Sequence, residues 1–124
     1  MSLAVEITRR GSGVVEISPQ GDIDVDGAPE LRDAVAEVLT RSRPFRIELN
    51  LQRVSFIDSV GISALVAGFQ GAEVSGVKLV VTQPSPFVHR QLWVTGLLGL
   101  FGAPEPAAGA AKQPATVPET GGIG

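Results

Sequence analysis

The residues best placed for chemistry are Asp58-Ser59-Val60-Gly61, a carboxylate and a hydroxyl at the junction of two contrasting patterns. Before them runs the strand-like segment Val54-Ser55-Phe56-Ile57; after them Ile62, Leu65, Val66 and Phe69 recur at helical spacing. Ser59 therefore falls where a strand ends and a helix begins. The first amides of a helix have no intrahelical acceptor and lie at the positive end of its dipole, so a phosphate on Ser59 would find donors there. A plainer reading is that Ser59 or Asp58 caps the helix, and residue preference alone favours it.

From Ser59 to Ala72 this helix carries no charged side chain. Outside its apolar stripe it has Val60, Ser63, Ala64, Ala67, Gly68, Gln70 and Gly71, all small or neutral. A merely solvated face would ordinarily carry Lys, Glu or Arg. An uncharged, low-relief face suits docking of another protein. Small residues equally suit close packing on the sheet or on a neighbouring helix, and both readings stand.

Other chemistries fare worse. Asp22, Asp24 and Asp26 lack the rest of a calcium loop, and an Asp-rich turn before a helix commonly serves as a cap. No metal site, cofactor or catalytic residue is expected. His89 is the only imidazole and Ser59 lies in no Gly-x-Ser-x-Gly elbow, which leaves no hydrolytic triad. Gly11-Ser12-Gly13 lacks the lysine of a phosphate loop and reads as a turn. With no cysteine, thiol nucleophiles, disulfides and thiolate metal sites drop out, in keeping with a reducing compartment. A net charge of -3 gives no support for nucleic-acid binding. The opening Met1-Ser2-Leu3-Ala4-Val5-Glu6 has no signal-peptide pattern and no apolar run approaches a membrane span, so no membrane insertion and a cytoplasmic location are expected.

The elements that must position Ser59 can be traced along the chain. Leu3 to Thr8 and Val14 to Ile17 read as strands of an opening hairpin. The segment Asp22-Ile23-Asp24-Val25-Asp26-Gly27 looks too acidic and short to be core. It leads into a helix with Pro29 in its first turn and a stripe of Leu31, Ala34, Val35, Val38 and Leu39 that ends before Pro44. Phe45, Ile47, Leu49 and Leu51 alternate with polar residues as a strand continuing into Val54 to Asp58. Val77 to Thr82 is a further strand, Pro86 to about Thr95 a third helix, Gly96 a stop, and 99–102 a weak strand. Together these give an α/β fold, a mixed β-sheet with an opening hairpin and helices packed on the sheet, over residues 1–102. Residues 103–124 are dominated by Ala, Pro and Gly and read as a flexible tail.

Three segments in order resemble the STAS domain, specifically the anti-sigma factor antagonists: Gly21-Asp22-Ile23-Asp24, Val54 to Ile62 around Asp58-Ser59, and Pro84-Ser85-Pro86-Phe87-Val88 leading to Thr95-Gly96-Leu97. The resemblance covers residues 3 to about 101. It implies a protein that captures an anti-sigma factor with serine kinase activity, is switched off when that kinase phosphorylates Ser59, and is reset by a phosphatase. It also implies that Asp24, Asp58 and Gly61 shape the switch, and that Asp22, Val60, Ser63, Ala64 and Ala67 join the partner face. The chain departs from the family at Val60, where a second hydroxyl residue is common, and in its weak C-terminal pattern. Alternatives are an unphosphorylated STAS subunit bound to a transporter ATPase and a small-ligand or nucleotide-binding module.

Overall fold

The computed structural model describes residues 3–101, so the expected tail at 103–124 lies outside it. The order is β1 (Ala4–Arg10), β2 (Val14–Ile23), α1 (Ala28–Glu37), β3 (Arg46–Asn50), β4 (Val54–Ile57), α2 (Ser59–Val74), β5 (Lys78–Thr82), α3 (Pro86–Val94) and α4 (Leu98–Phe101). The sheet runs β1-β2-β3-β5, and β4 pairs with the far half of β2 beyond the end of β3. Only β1 is antiparallel to its neighbour; β2 is parallel to β3 and β4, and β3 to β5. The mixed α/β architecture follows the sequence pattern.

Alternation decides the two faces of the sheet. Val15, Ile17, Ile47, Leu49, Leu79 and Val81 point into the core with the inner faces of α1 and α2. The opposite face carries Glu16, Arg46, Glu48 and Asn50, knitted together with Arg10. Arg10 meets Glu16 at 3.0 Å and Glu48 at 3.7 Å, Arg46 meets Glu48 at 3.1 Å, and Asn50 donates to Glu16 at 3.0 Å.

The hydrogen bond from Asn50, helped by the Arg10 guanidinium, holds the Glu16 carboxyl below its ordinary value against the opposing effect of burial. A carboxylate with a depressed folded-state pKa stabilises the fold at pH above its unfolded value of about 4.3, and that contribution is lost as pH falls through the lowered value. Glu16→Gln is therefore expected to cost stability at pH 7 and progressively less below about pH 4. Urea denaturation of both proteins across pH checks this; a gap independent of pH would exclude the charge as its source.

Four sequence expectations are revised. Gly21-Asp22-Ile23 is not a surface turn: β2 continues through it, pairs with β4, and buries Ile23 completely. Phe45 lies outside β3 and is 60% exposed rather than in the apolar face, its ring beside Gly13. Residues 98–101 form a helical turn instead of a strand. In α2 the buried positions are Gly61, Ala64, Leu65, Gly68 and Ala72, with Ile62, Val66 and Phe69 only partly covered.

Candidate functional site

The strand-to-helix junction is built by β2 and β4 together. Ile23 pairs with Ile57, and the Asp58 amide donates to the Ile23 carbonyl at 3.4 Å, so the first turn of α2 starts against the end of β2. Asp58 is the N-cap: its backbone is extended, and its carboxylate accepts from the Gly61 amide at 2.9 Å. Capping is therefore done by Asp58. Ser59, the first helical residue, is exposed, and its hydroxyl has no hydrogen-bond partner among the described residues.

Asp58→Ala removes the side-chain acceptor that caps the helix's first turn and is expected to cost about 1 kcal/mol. Asp58→Asn should retain most of that stability, because an amide oxygen also accepts from Gly61. Chemical denaturation of the two variants makes the comparison. Equal losses in both would assign the effect to charge and not to the cap.

Asp24 lies one residue past the Ile23–Ile57 pair, alongside Asp58. Its carboxylate accepts from the amides of Asp26 and Gly27, each at 3.0 Å, and its carbonyl from Ala28 at 2.8 Å, which turns the chain into α1. Asp24 therefore fixes the turn between the end of β2 and α1. Asp22, on the last stretch of β2, and Asp26 are exposed, so the rim of the junction is acidic.

The expected partner face divides. Val60, Ser63 and Ala67 are exposed on α2, whereas Ala64 is only 1% exposed and is withdrawn as a contact residue. The cause is the packing of α2 on α1 as well as on the sheet: Gly68 approaches Val35 and Gly71 approaches Leu39. Small residues thus serve close packing on one side of α2 and leave a smooth uncharged surface on the other. Gly61, buried, lies against the Ile23 carbonyl.

Two aromatic residues at the site were not singled out from sequence. Phe56, on β4, and Phe87, in the first turn of α3, stack with ring centroids 5.5 Å apart and an interplanar angle of 28°. They are 41% and 37% exposed, and Val60, four residues after Phe56, adds further exposed apolar surface at 39%. Both aromatics fall inside segments whose periodicity marks only a strand and a helix. A strand with Val54 and Ile57 both buried breaks the two-residue period, and that irregularity puts Phe56 outside.

The family model of the MlaB-type STAS domain matches residues 7–102. An anti-sigma-B factor antagonist of Staphylococcus aureus is 31% identical over 104 residues, spanning 82% of this chain and 92% of that protein. Among solved structures, an anti-sigma factor antagonist from Mycobacterium paratuberculosis superposes with a TM-score of 0.71 at 27% identity, covering 88% of this chain and 90% of that one. Unphosphorylated SpoIIAA, also an anti-sigma factor antagonist, matches with a TM-score of 0.69 at 20% identity over 83% and 90% of the two chains, a likeness of fold. Among the described residues no helix is long and apolar enough to cross a membrane. By the span of the family model and the identity to its relatives, the chain belongs to the STAS domain family, among the anti-sigma factor antagonists.

Proposed function

We propose that this antagonist binds an anti-sigma factor with serine kinase activity while Ser59 is unmodified, lets go when that kinase phosphorylates Ser59, and is reset by a phosphatase. The observation that carries the reading is the exposed, uncommitted Ser59 hydroxyl, free because Asp58 supplies the cap. A kinase must reach the oxygen it modifies, and a capping serine would have to surrender its bond first. The two known states of SpoIIAA, solved unphosphorylated and phosphorylated, support a fold that accepts a phosphate without rearranging into another architecture. The exposed faces of Val60, Ser63 and Ala67 and the stacked Phe56 and Phe87 supply neutral surface around the hydroxyl for the partner to cover.

Incubation with the candidate kinase and ATP, followed by mass spectrometric mapping, is the test. One phosphate on Ser59, absent from Ser59→Ala, is the expected outcome. An unmodified Ser59 in a protein that copurifies with a transporter ATPase would instead favour a permanent subunit, and a tightly bound nucleotide without a protein partner would favour a ligand-binding module.

A further inference from the structure

The pole of the molecule away from Ser59 gathers positive charge. Arg9 and Arg10 end β1, Arg41 and Arg43 lie in the turn that ends the first helix, Arg46 opens β3 and Lys78 opens β5. The register brings these starts and ends together, since Arg10 and Arg46 both pair with Val14, and Arg46 with Lys78. Six of the chain's ten cations stand there. Between the β1–β2 turn and the end of the first helix is an open cleft of about 320 Å³, lined by Arg9, Arg10, Arg41, Ser42 and Arg43.

The ion pairs compensate only two of the four arginines of this cleft. Arg10 is met by Glu16 and Glu48, and Arg41 by Glu37 at 3.9 Å. Arg9 and Arg43 form no ion pair among the described residues, and both are exposed. Arg43 also occupies a left-handed backbone position, φ 48°, its amide donating to the Val38 carbonyl at 3.1 Å. Glycine is the usual residue at such a helix end, because it alone takes that conformation freely. A long cation held there, lining the same cleft as a second unpaired guanidinium, is an arrangement that an anion would complete.

We propose that this cleft binds a phosphate monoester, gripped by Arg9 and Arg43. Such a group carries about -1.5 to -2 charges at neutral pH, which matches two unpaired guanidiniums. Guanidinium forks take phosphate oxygens in pairs, so two of them can hold one phosphate from two sides. The acidic remainder of the chain disfavours a long polyanion and restricts the ligand to a small or singly presented phosphate. That phosphate could be soluble or the headgroup of a phospholipid. The site is remote from Ser59 and does not rest on the switch.

Titration of the full chain with glycerol 3-phosphate, followed through the arginine Nε–Hε NMR signals, tests the site. Saturable shifts at Arg9 and Arg43 are expected, unchanged in Ser59→Ala, and the affinity read from the Arg10 and Arg41 signals of the same cleft should fall on the order of tenfold or more in the Arg9→Gln/Arg43→Gln double variant. Sedimentation with vesicles containing phosphatidic acid, but not with pure phosphatidylcholine, distinguishes the sources: retention that depends on Arg9 and Arg43 assigns the lipid headgroup, and binding confined to glycerol 3-phosphate assigns a soluble ligand. Shifts that rise linearly without saturating, or binding that survives the double variant in both arms, overturn the proposal.

Discussion

Phosphorylation of Ser59 is expected to weaken binding of the anti-sigma factor on the order of 150-fold, about 3 kcal/mol. The magnitude follows from where the charge lands. A phosphate adds about -1.5 to -2 charges to the residue that follows Asp58, where α2 starts against the end of β2, with Asp24 one residue past the Ile23–Ile57 pair and exposed Asp22 and Asp26 on the same stretch of chain. Around it lies neutral surface: Val60 beside it in the helix, and the Phe56–Phe87 stack on the adjoining strand and helix. Covering that surface with a partner would strip water from the phosphate, and an ion that loses its hydration without gaining a counter-charge costs several kcal/mol. Near-complete reversal of populations takes about 5.5 kcal/mol, which desolvation and repulsion together can approach.

The comparison is made by titration calorimetry on the unmodified and phosphorylated proteins. Ser59→Ala should bind like the unmodified form and stay insensitive to ATP, whereas Ser59→Asp, with less charge and fewer acceptor oxygens, should fall between. The repulsive part should shrink as salt is raised, since exposed charges are screened within about 10 Å at 0.1 M. Equal affinity of the two forms would end the switch as described, whatever the kinase does to the serine.

The parts of this site that were legible in sequence are those governed by local chemistry. Asp58 followed by an apolar helix marks a cap, Pro29 marks a first turn, and Gly96, at φ 77°, marks a stop. What could not be read was the choice among equivalent faces. In α2 nearly every position is apolar or small, so periodicity could not say that Ala64 and Gly68 face inward while Ile62 and Val66 sit at the margin; the neighbouring helix α1 decides that. At the end of β2 the same limit took another form. Asp22-Ile23-Asp24 is a two-residue alternation with its apolar member inward, but two carboxylates around one isoleucine resemble a surface turn until β4 is seen to pair there. The Phe56–Phe87 stack joins residues 31 positions apart and depends on how α3 lies against β4, which no local pattern encodes.

Gly61→Ala and Gly71→Ala are expected to move stability in opposite directions, although both make the same substitution in the same helix. In a helix interior alanine is favoured over glycine by about 1 kcal/mol, so wherever there is room the change should stabilise. At Gly71 there is room: an added methyl would meet only the Leu39 side chain at 3.7 Å, an ordinary contact, and a gain of up to about 1 kcal/mol is expected. At Gly61 the methyl would run into the Ile23 carbonyl oxygen and come within 2.7 Å of the Ile57 side chain. Neither can yield easily, because Ile23 and Ile57 are paired strand residues with 0% and 2% exposure. The helix start must back away from the sheet, at a cost of about 2–3 kcal/mol despite the better propensity of alanine. Urea denaturation midpoints of the two variants give the answer directly. The same displacement moves Ser59, two residues earlier, so Gly61→Ala should also slow phosphorylation under conditions where the variant is fully folded, while Gly71→Ala should leave it unchanged. A Gly61→Ala protein as stable as the parent would mean that α2 does not start hard against the end of β2, and the placement of Ser59 would need another explanation.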